Sequence, residues 1–176
     1  MAITEDRRHL MINYETYSTR FGEMRIAAGE QGLVALSFHR GERPLPTGAD
    51  WQRRATALTD EAARQLGEYF AGERREFDLP LAPPGTEFQR RVWNALQQIP
   101  YGETRSYREQ AETLGDLKAI RAVGRANGAN PIAVAIPCHR VIGADGSLTG
   151  YAGGLDMKAR LLTLEGARFI QQTELL

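Results

Sequence analysis

The sequence predicts an α+β chain: a small N-terminal antiparallel sheet plus helix, then a mostly helical, winged-helix-like domain containing a helix-turn-helix. Three observations carry this. Glycine-punctuated alternating runs fill the first forty residues, prolines cluster at 80–84, and beyond them apolar residues recur at helical spacing. Pro80, Pro83, Pro84 and Gly85 mark the boundary, giving an N-terminal structural domain at 1–83 and a second domain at 84–176.

The runs at 11–17, 24–28 and 33–38, separated by Gly22, Gly29 and Gly32, read as an antiparallel meander. A loop at 41–50 carries Pro44 and Pro46. Ala62, Ala63, Leu66, Tyr69 and Phe70 then sit at helical spacing, which predicts a helix over 59–70 with Thr59 or Asp60 as its cap. In the second domain Thr86 opens a helix running to about Gln98, where Pro100 stops it. Ser106 caps another helix through Leu114, with Glu109 completing a capping box. Gly115 and Asp116 make a turn, Leu117 to about Asn127 forms a third helix, and a last helix spans 156–165.

Composition excludes several classes. Of 176 residues, 42% are apolar and 25% charged, so disorder, a collagen-like repeat and a coiled coil are all disfavoured. No apolar run is long enough to span a membrane and the start lacks signal-peptide character, which predicts a cytoplasmic protein. A single cysteine precludes an intrachain disulfide. His9, His39 and His139 show no metal-ligand spacing, so neither a metal nor a cofactor is expected. Net charge is zero, but residues 1–85 carry 11 basic and 13 acidic groups and residues 86–176 carry 11 and 9. That asymmetry permits a local DNA-binding face and rules out binding by bulk charge.

Two short helices joined at Gly115 have the layout of a helix-turn-helix, whose second helix approaches a DNA groove. Arg121 and Arg125 lie four apart on that helix and share a face. An ordinary helical hairpin with solvated arginines fits the same pattern.

The most informative stretch runs from Asn130 to Gly143, where an apolar run delivers Pro137, Cys138, His139 and Arg140. A lone cysteine is commonly an inert core residue. Here polar residues follow it at once, at a junction between two runs, which makes Cys138 a candidate nucleophile. A thiol needs a base or a positive environment to react as thiolate, and His139 could supply the base if a carboxylate orients it. A Cys-His pair fits a thiol hydrolase equally well.

The segment Ile136-Pro137-Cys138-His139-Arg140-Val141-Ile142 resembles the active-site signature of the O6-alkylguanine-DNA alkyltransferases, of the bacterial Ogt-like kind. Phe88 to Trp93, Ile99 to Thr104, Ser106-Tyr107, Ile120 to Asn127, Gly150 to Leu155 and Leu161 to Gly166 agree in order and spacing, so the likeness covers 86–167 closely. The resemblance implies DNA repair by direct damage reversal. The alkyl group of O6-alkylguanine (or O4-alkylthymine) would pass irreversibly to Cys138 after nucleotide flipping, once per molecule. By resemblance, His139 acts as base through a water, Glu165 orients His139, Asn130 braces the active-site turn, and Tyr107 hydrogen-bonds the flipped base. Arg121 fills the gap in the stack, with Ala122, Arg125, Thr104 and Ser106 also on the DNA. Val141, Tyr151, Ala152 and Gly153 line the substrate pocket. The partner implied is double-stranded DNA carrying O6-alkylguanine, bound by a monomer, with cooperative assembly along the duplex left open. Ala152 stands where many members have serine, and Asn127 where others have an apolar residue.

Overall fold

The computed structural model describes residues 11–39 and 47–171. His9 and the greater part of the proline-bearing loop, including Pro44 and Pro46, lie outside the described residues. The chain divides into two compact units, Met1–Pro84 and Gly85–Leu176.

The first unit is a four-stranded sheet with one helix on it. β1 (Asn13–Thr19), β2 (Gly22–Gly29) and β3 (Gly32–Phe38) form the antiparallel meander, and a two-residue β4 (Gln52–Arg53) pairs parallel to β1, giving the order β3-β2-β1-β4. Alternation along β2 places Met24, Ile26 and Ala28 on the covered face. Helix α1 (Ala57–Phe70) packs against these strands through Ala62, Leu66, Tyr69 and Phe70, all buried. Its cap is Thr56, three residues before the expected Thr59 and four before Asp60: Thr59 instead completes a capping box from the third helical position. Either threonine can accept a backbone N–H, and apolar spacing alone does not choose between them.

The chain leaves this unit along the β3 edge. Leu33 N–H donates to the Pro80 carbonyl at 2.9 Å and Ala82 N–H to the Leu33 carbonyl at 2.8 Å. Gly32 permits that approach, because it has a φ of +146° and a Cβ there would stand 2.6 Å from the Pro80 oxygen.

The second unit is mostly helical. Helix α2 (Glu87–Leu96) is capped by a Thr86–Gln89 box and ends two residues before the expected Gln98. A two-residue strand β5 (Arg105–Ser106) leads into α3 (Tyr107–Thr113), capped by the expected Ser106–Glu109 box. Gly115, at φ +80°, makes the turn. The third helix begins as a 3-10 turn, Leu117–Ala119, with the Asp116 side chain accepting from Lys118 N–H, and becomes α4 (Ile120–Gly128). α4 is fixed on its inner side by Trp93 Nε1, which donates to the Ala126 carbonyl at 2.8 Å. Gln110 and Asn127 add a reciprocal pair of side-chain amide bonds at 3.0 and 2.8 Å. Asn127 is therefore buried between α3 and α4. A second 3-10 turn, Cys138–Arg140, runs into β6 (Val141–Ile142), which pairs parallel with β5. α5 (Leu155–Leu164) closes the unit, one residue ahead of the expected span.

Candidate active site

Cys138 is presented by a loop that the chain ties to itself. Asn130 holds both ends: its Oδ1 accepts from Ile132 N–H at 3.0 Å, and its Nδ2 donates to the Ile136 carbonyl at 2.8 Å and to Cys138 Sγ at 3.2 Å. Between these bonds Val134 is buried at φ +69°, a left-handed conformation that costs a β-branched residue about 1–3 kcal/mol. Such strain persists only where the surroundings over-determine it, and the two-ended grip of Asn130 is one such constraint.

The 3-10 turn then presents three functional side chains in succession. Cys138 is half-buried. Burial pushes its thiol up from the ordinary range, while the Asn130 hydrogen bond and the charge of Lys158 pull it down. His139 is fully buried, with Nε2 2.9 Å from Glu165 Oε1. Arg140 grips the same carboxylate through Nε to Oε2 at 2.9 Å and an outer nitrogen to Oε1 at 2.8 Å. Its remaining nitrogen donates to the Ile99 carbonyl at 2.7 Å.

The protonation pattern follows from these contacts. Burial alone would push the Glu165 carboxyl up, but the hydrogen bonds from His139 and Arg140 more than reverse that and hold it at about 2. An ionised carboxylate only accepts, so His139 carries its proton on Nε2 and keeps the lone pair on Nδ1. Burial pushes the imidazole down, against the pull of Glu165, and the cations Arg140 and Lys158 add to the lowering. His139 is thus a neutral base, and its Nδ1 is buried with no hydrogen-bond partner.

Tyr107, at the start of α3, donates its hydroxyl to the Thr149 carbonyl at 3.0 Å. Ser106 Oγ is engaged as the α3 cap, accepting from Glu109 N–H at 3.1 Å. Val141 is buried in β6, its N–H turned back to the Cys138 carbonyl. Tyr151 has a buried hydroxyl with no partner, and burial followed by the Cys138 and Glu165 charges pushes that phenol well up. Ala152 is exposed, and Gly153 and Thr104 are half-buried. Arg121 and Arg125 are exposed on α4 and Ala122 is half-buried between them.

Cys138, Asn130, His139 and Glu165 are thus joined through direct bonds or chain adjacency, Tyr107 meets the 149–153 loop that carries Tyr151, and Arg121 and Arg125 are exposed on α4. Two residues of this site were not singled out from sequence. Arg140 is the second holder of Glu165. Lys158 is a fully buried ammonium on α5 whose Nζ donates to the Thr149 and Gly150 carbonyls at 2.9 and 3.2 Å. Its signal was legible: three and four residues before Leu161 and Leu162, it lies on the apolar face of its helix. Among the described residues, no group of three or more His, Cys, Asp or Glu side chains converges to hold a metal.

Comparison with known proteins gives matches in both units. Residues 12–83 match the family profile described as 6-O-methylguanine DNA methyltransferase, ribonuclease-like domain. Residues 87–167 match 6-O-methylguanine DNA methyltransferase, DNA binding domain. Methylated-DNA–protein-cysteine methyltransferases from Methanosarcina acetivorans and Mycolicibacterium paratuberculosis are 52% and 54% identical, each over 88% of this chain and over 98% and 93% of their own. The Mycobacterium tuberculosis O6-methylguanine methyltransferase superposes with a TM-score of 0.81 at 48% identity, covering 89% of this chain and 93% of that one. Its counterpart in complex with DNA gives 0.80 at 48%, covering 87% and 92%. In both of its units, the chain belongs to the 6-O-methylguanine DNA methyltransferase family.

Proposed function

We propose that the chain reverses alkylation damage in DNA by moving the alkyl group of O6-alkylguanine onto Cys138, once per molecule. The observation that carries the reading is the half-buried Cys138 thiol, hydrogen-bonded by Asn130, beside a neutral His139 with a free Nδ1 and a Glu165-bound Nε2. Family membership supplies the substrate class.

The guanine O6 cannot reach a recessed thiol from inside a stacked duplex, so the nucleotide swings out, at a cost of a few kcal/mol. Arg121 enters the stack behind it, with Ala122, Arg125, Thr104 and Ser106 along the backbone. His139 Nδ1 draws the thiol proton, directly or through a water. The sulfur lone pair forms the S–C bond to the alkyl carbon as the C–O6 bond breaks, and its electrons pass into the purine. Tyr107 exchanges the Thr149 carbonyl for the purine ring and donates its hydroxyl proton to the departing base. Val141, Tyr151, Ala152 and Gly153 wall the alkyl side, where Ala152 leaves the base only a backbone contact. The product is a thioether, and nothing in the site regenerates the thiol. The chemistry belongs to residues 84–176, with a structural role for 1–83, and the active species is a monomer on double-stranded DNA in the cytoplasm. Among the described residues no helix is long and apolar enough to cross a membrane.

The test is intact-protein mass after mixing with a duplex carrying one O6-methylguanine, followed by peptide mapping. The expected result is a one-methyl gain confined to the Cys138 peptide, saturating at one per protein and lost in Cys138→Ala while DNA binding remains. Tight binding with no mass gain would make the protein a non-catalytic clamp.

A further inference from the structure

Two loops build the site, and each is gripped at both ends by one residue. Asn130 does this for the loop that presents Cys138, and Lys158 does it for the loop at 149–154. From α5 the Lys158 backbone N–H donates to the Gly154 carbonyl at 3.0 Å. Its side chain reaches back to the start of the loop, where Nζ donates to the Thr149 carbonyl at 2.9 Å and the Gly150 carbonyl at 3.2 Å. Between these bonds the chain turns at Gly150, φ +48°, and at Gly154, φ +95°, with the Gly154 N–H donating to the Tyr151 carbonyl at 2.9 Å. Thr149, Gly150 and Ala152 are exposed, whereas Lys158 is fully buried, so the hold on the loop comes from the interior.

A buried ammonium is expensive, and an apolar residue would suit the buried face that Lys158 shares with Leu161 and Leu162. What lysine supplies there is reach and donors: a four-carbon stem and three N–H groups, enough for two carbonyls eight and nine residues back. The Thr149 carbonyl takes a second donor, the Tyr107 hydroxyl at 3.0 Å, so both of its lone pairs are in use. The Lys158 nitrogen itself stands 6.0 Å from the centre of the Tyr107 ring. Lys158, Thr149 and Tyr107 are therefore one hydrogen-bonded chain, and a shift of the loop moves the acceptor that Tyr107 uses.

We propose that Lys158 is a positioning residue for the pocket wall: by closing the 149–154 loop onto α5, it sets where Tyr107 and the backbone of 151–153 meet the flipped base. The Tyr107 hydroxyl can leave the Thr149 carbonyl for the purine because the ammonium stays behind on that carbonyl, which is then not left without a donor. Without Lys158 the carbonyl depends on Tyr107 for its donor, and the loop loses its interior anchor. Asn130 thus places the nucleophile, and Lys158 places the surface against which the substrate sits. The inference rests on the reading of Cys138 as alkyl acceptor and of Tyr107 as a contact to the base.

The test compares the native chain with Lys158→Met, which removes the donors, and Gly150→Ala, which strains the loop at a positive φ in open space and leaves Lys158 in place. Three quantities are read. They are hydrogen exchange of the amides at 154 and 158, the maximum rate and half-saturating DNA concentration of single-turnover methyl transfer from a duplex carrying O6-methylguanine, and the rate of iodoacetamide alkylation of Cys138. In both variants the two amides should exchange faster, and the maximum transfer rate should fall by about 10- to 100-fold with the half-saturating concentration unchanged. Iodoacetamide alkylation, which needs no pocket wall, should fall far less in Lys158→Met and not at all in Gly150→Ala. Native transfer in either variant once its loop exchange has risen would overturn the proposal. Equal losses in transfer and in iodoacetamide alkylation would also overturn it, by placing the effect at the sulfur. A measurement that needs no variant to fold is NMR of the native chain, where the Lys158 ammonium protons should be protected from solvent and coupled through their hydrogen bonds to the Thr149 and Gly150 carbonyl carbons. A freely exchanging, uncoupled ammonium would remove the tether outright. Failure of the function itself reads differently: the native chain would gain no methyl group from lesion DNA, while loop exchange would still rise in both variants.

Discussion

Helices α1 and α4 both display arginines to solvent and use them in opposite ways. On α1, Arg64 is held by Glu61 and Glu68, one turn away on either side, and Arg74 also reaches Glu68. On α4, neither Arg121 nor Arg125 has a carboxylate within its own helix, because residues 117–128 contain no Asp or Glu. Among the described residues neither arginine forms an ion pair. Leu117 and Ile120 are exposed beside them, at 49% and 37%. A chain with zero net charge can therefore offer a phosphate-seeking surface, provided its carboxylates are spent elsewhere. Arg140 is a third case, an arginine taken out of solvent altogether and locked to Glu165.

The largest effect is expected where an arginine loses a buried partner. Glu165→Gln leaves Arg140 without its counter-charge and should destabilise the fold by about 3–5 kcal/mol, read by denaturant unfolding. The pH dependence has a definite sign. Glu165 titrates near 2 in the folded chain against 4.5 ordinarily, so an unfolded chain takes up the proton first. Its contribution is present above pH 4.5 and lost as pH falls towards 2, and the Gln variant should lose that part of its acid sensitivity. A variant as stable as the native chain would mean that the interior pair and the α1 pairs are energetically alike.

Next come the α4 arginines. Arg121→Ala should slow transfer from duplex DNA by about 10- to 100-fold, as loss of part of the few-kcal/mol flipping energy requires, and leave reaction with a free alkylated base unchanged. Equal losses in both assays would remove the wedge role. Arg125→Ala should lower affinity for all duplexes alike and reduce the slope of log affinity against log salt by about 1. An unchanged slope would show that Arg125 meets no phosphate.

The contrast between the helices was partly legible in the sequence. The Ser106–Glu109 box, the Gly115 turn and the arginine spacing are local signals, each complete within a few residues, and α3 and α4 follow them. Signals that need a distant partner were not legible. β5 and β6 are two residues each and pair residues 36 positions apart (Arg105 with Val141, Ser106 with Ile142), which no periodicity reveals. Asn127 carries no local signal of its role, which comes from Gln110 opposite it on α3. His139 and Arg140 are adjacent, and only the fold shows both reaching one carboxylate, 26 and 25 residues on. Lys158 broke the apolar pattern of α5, a visible anomaly whose meaning depended on where the Thr149 and Gly150 carbonyls would stand.

The smallest effect tests the other half of the comparison. Arg64 is exposed and its partners are solvent-facing glutamates, a setting in which ion pairs contribute little and are screened by salt. Arg64→Ala should leave the melting temperature nearly unchanged at physiological salt and should alter neither lesion repair nor the salt slope of DNA binding. The informative outcome is the salt slope. If it falls as it does for Arg125→Ala, then Arg64 leaves its glutamates for phosphate when DNA is present. The paired state of α1 would then be a resting arrangement, and the division between spent and unspent arginines would belong to the free protein alone.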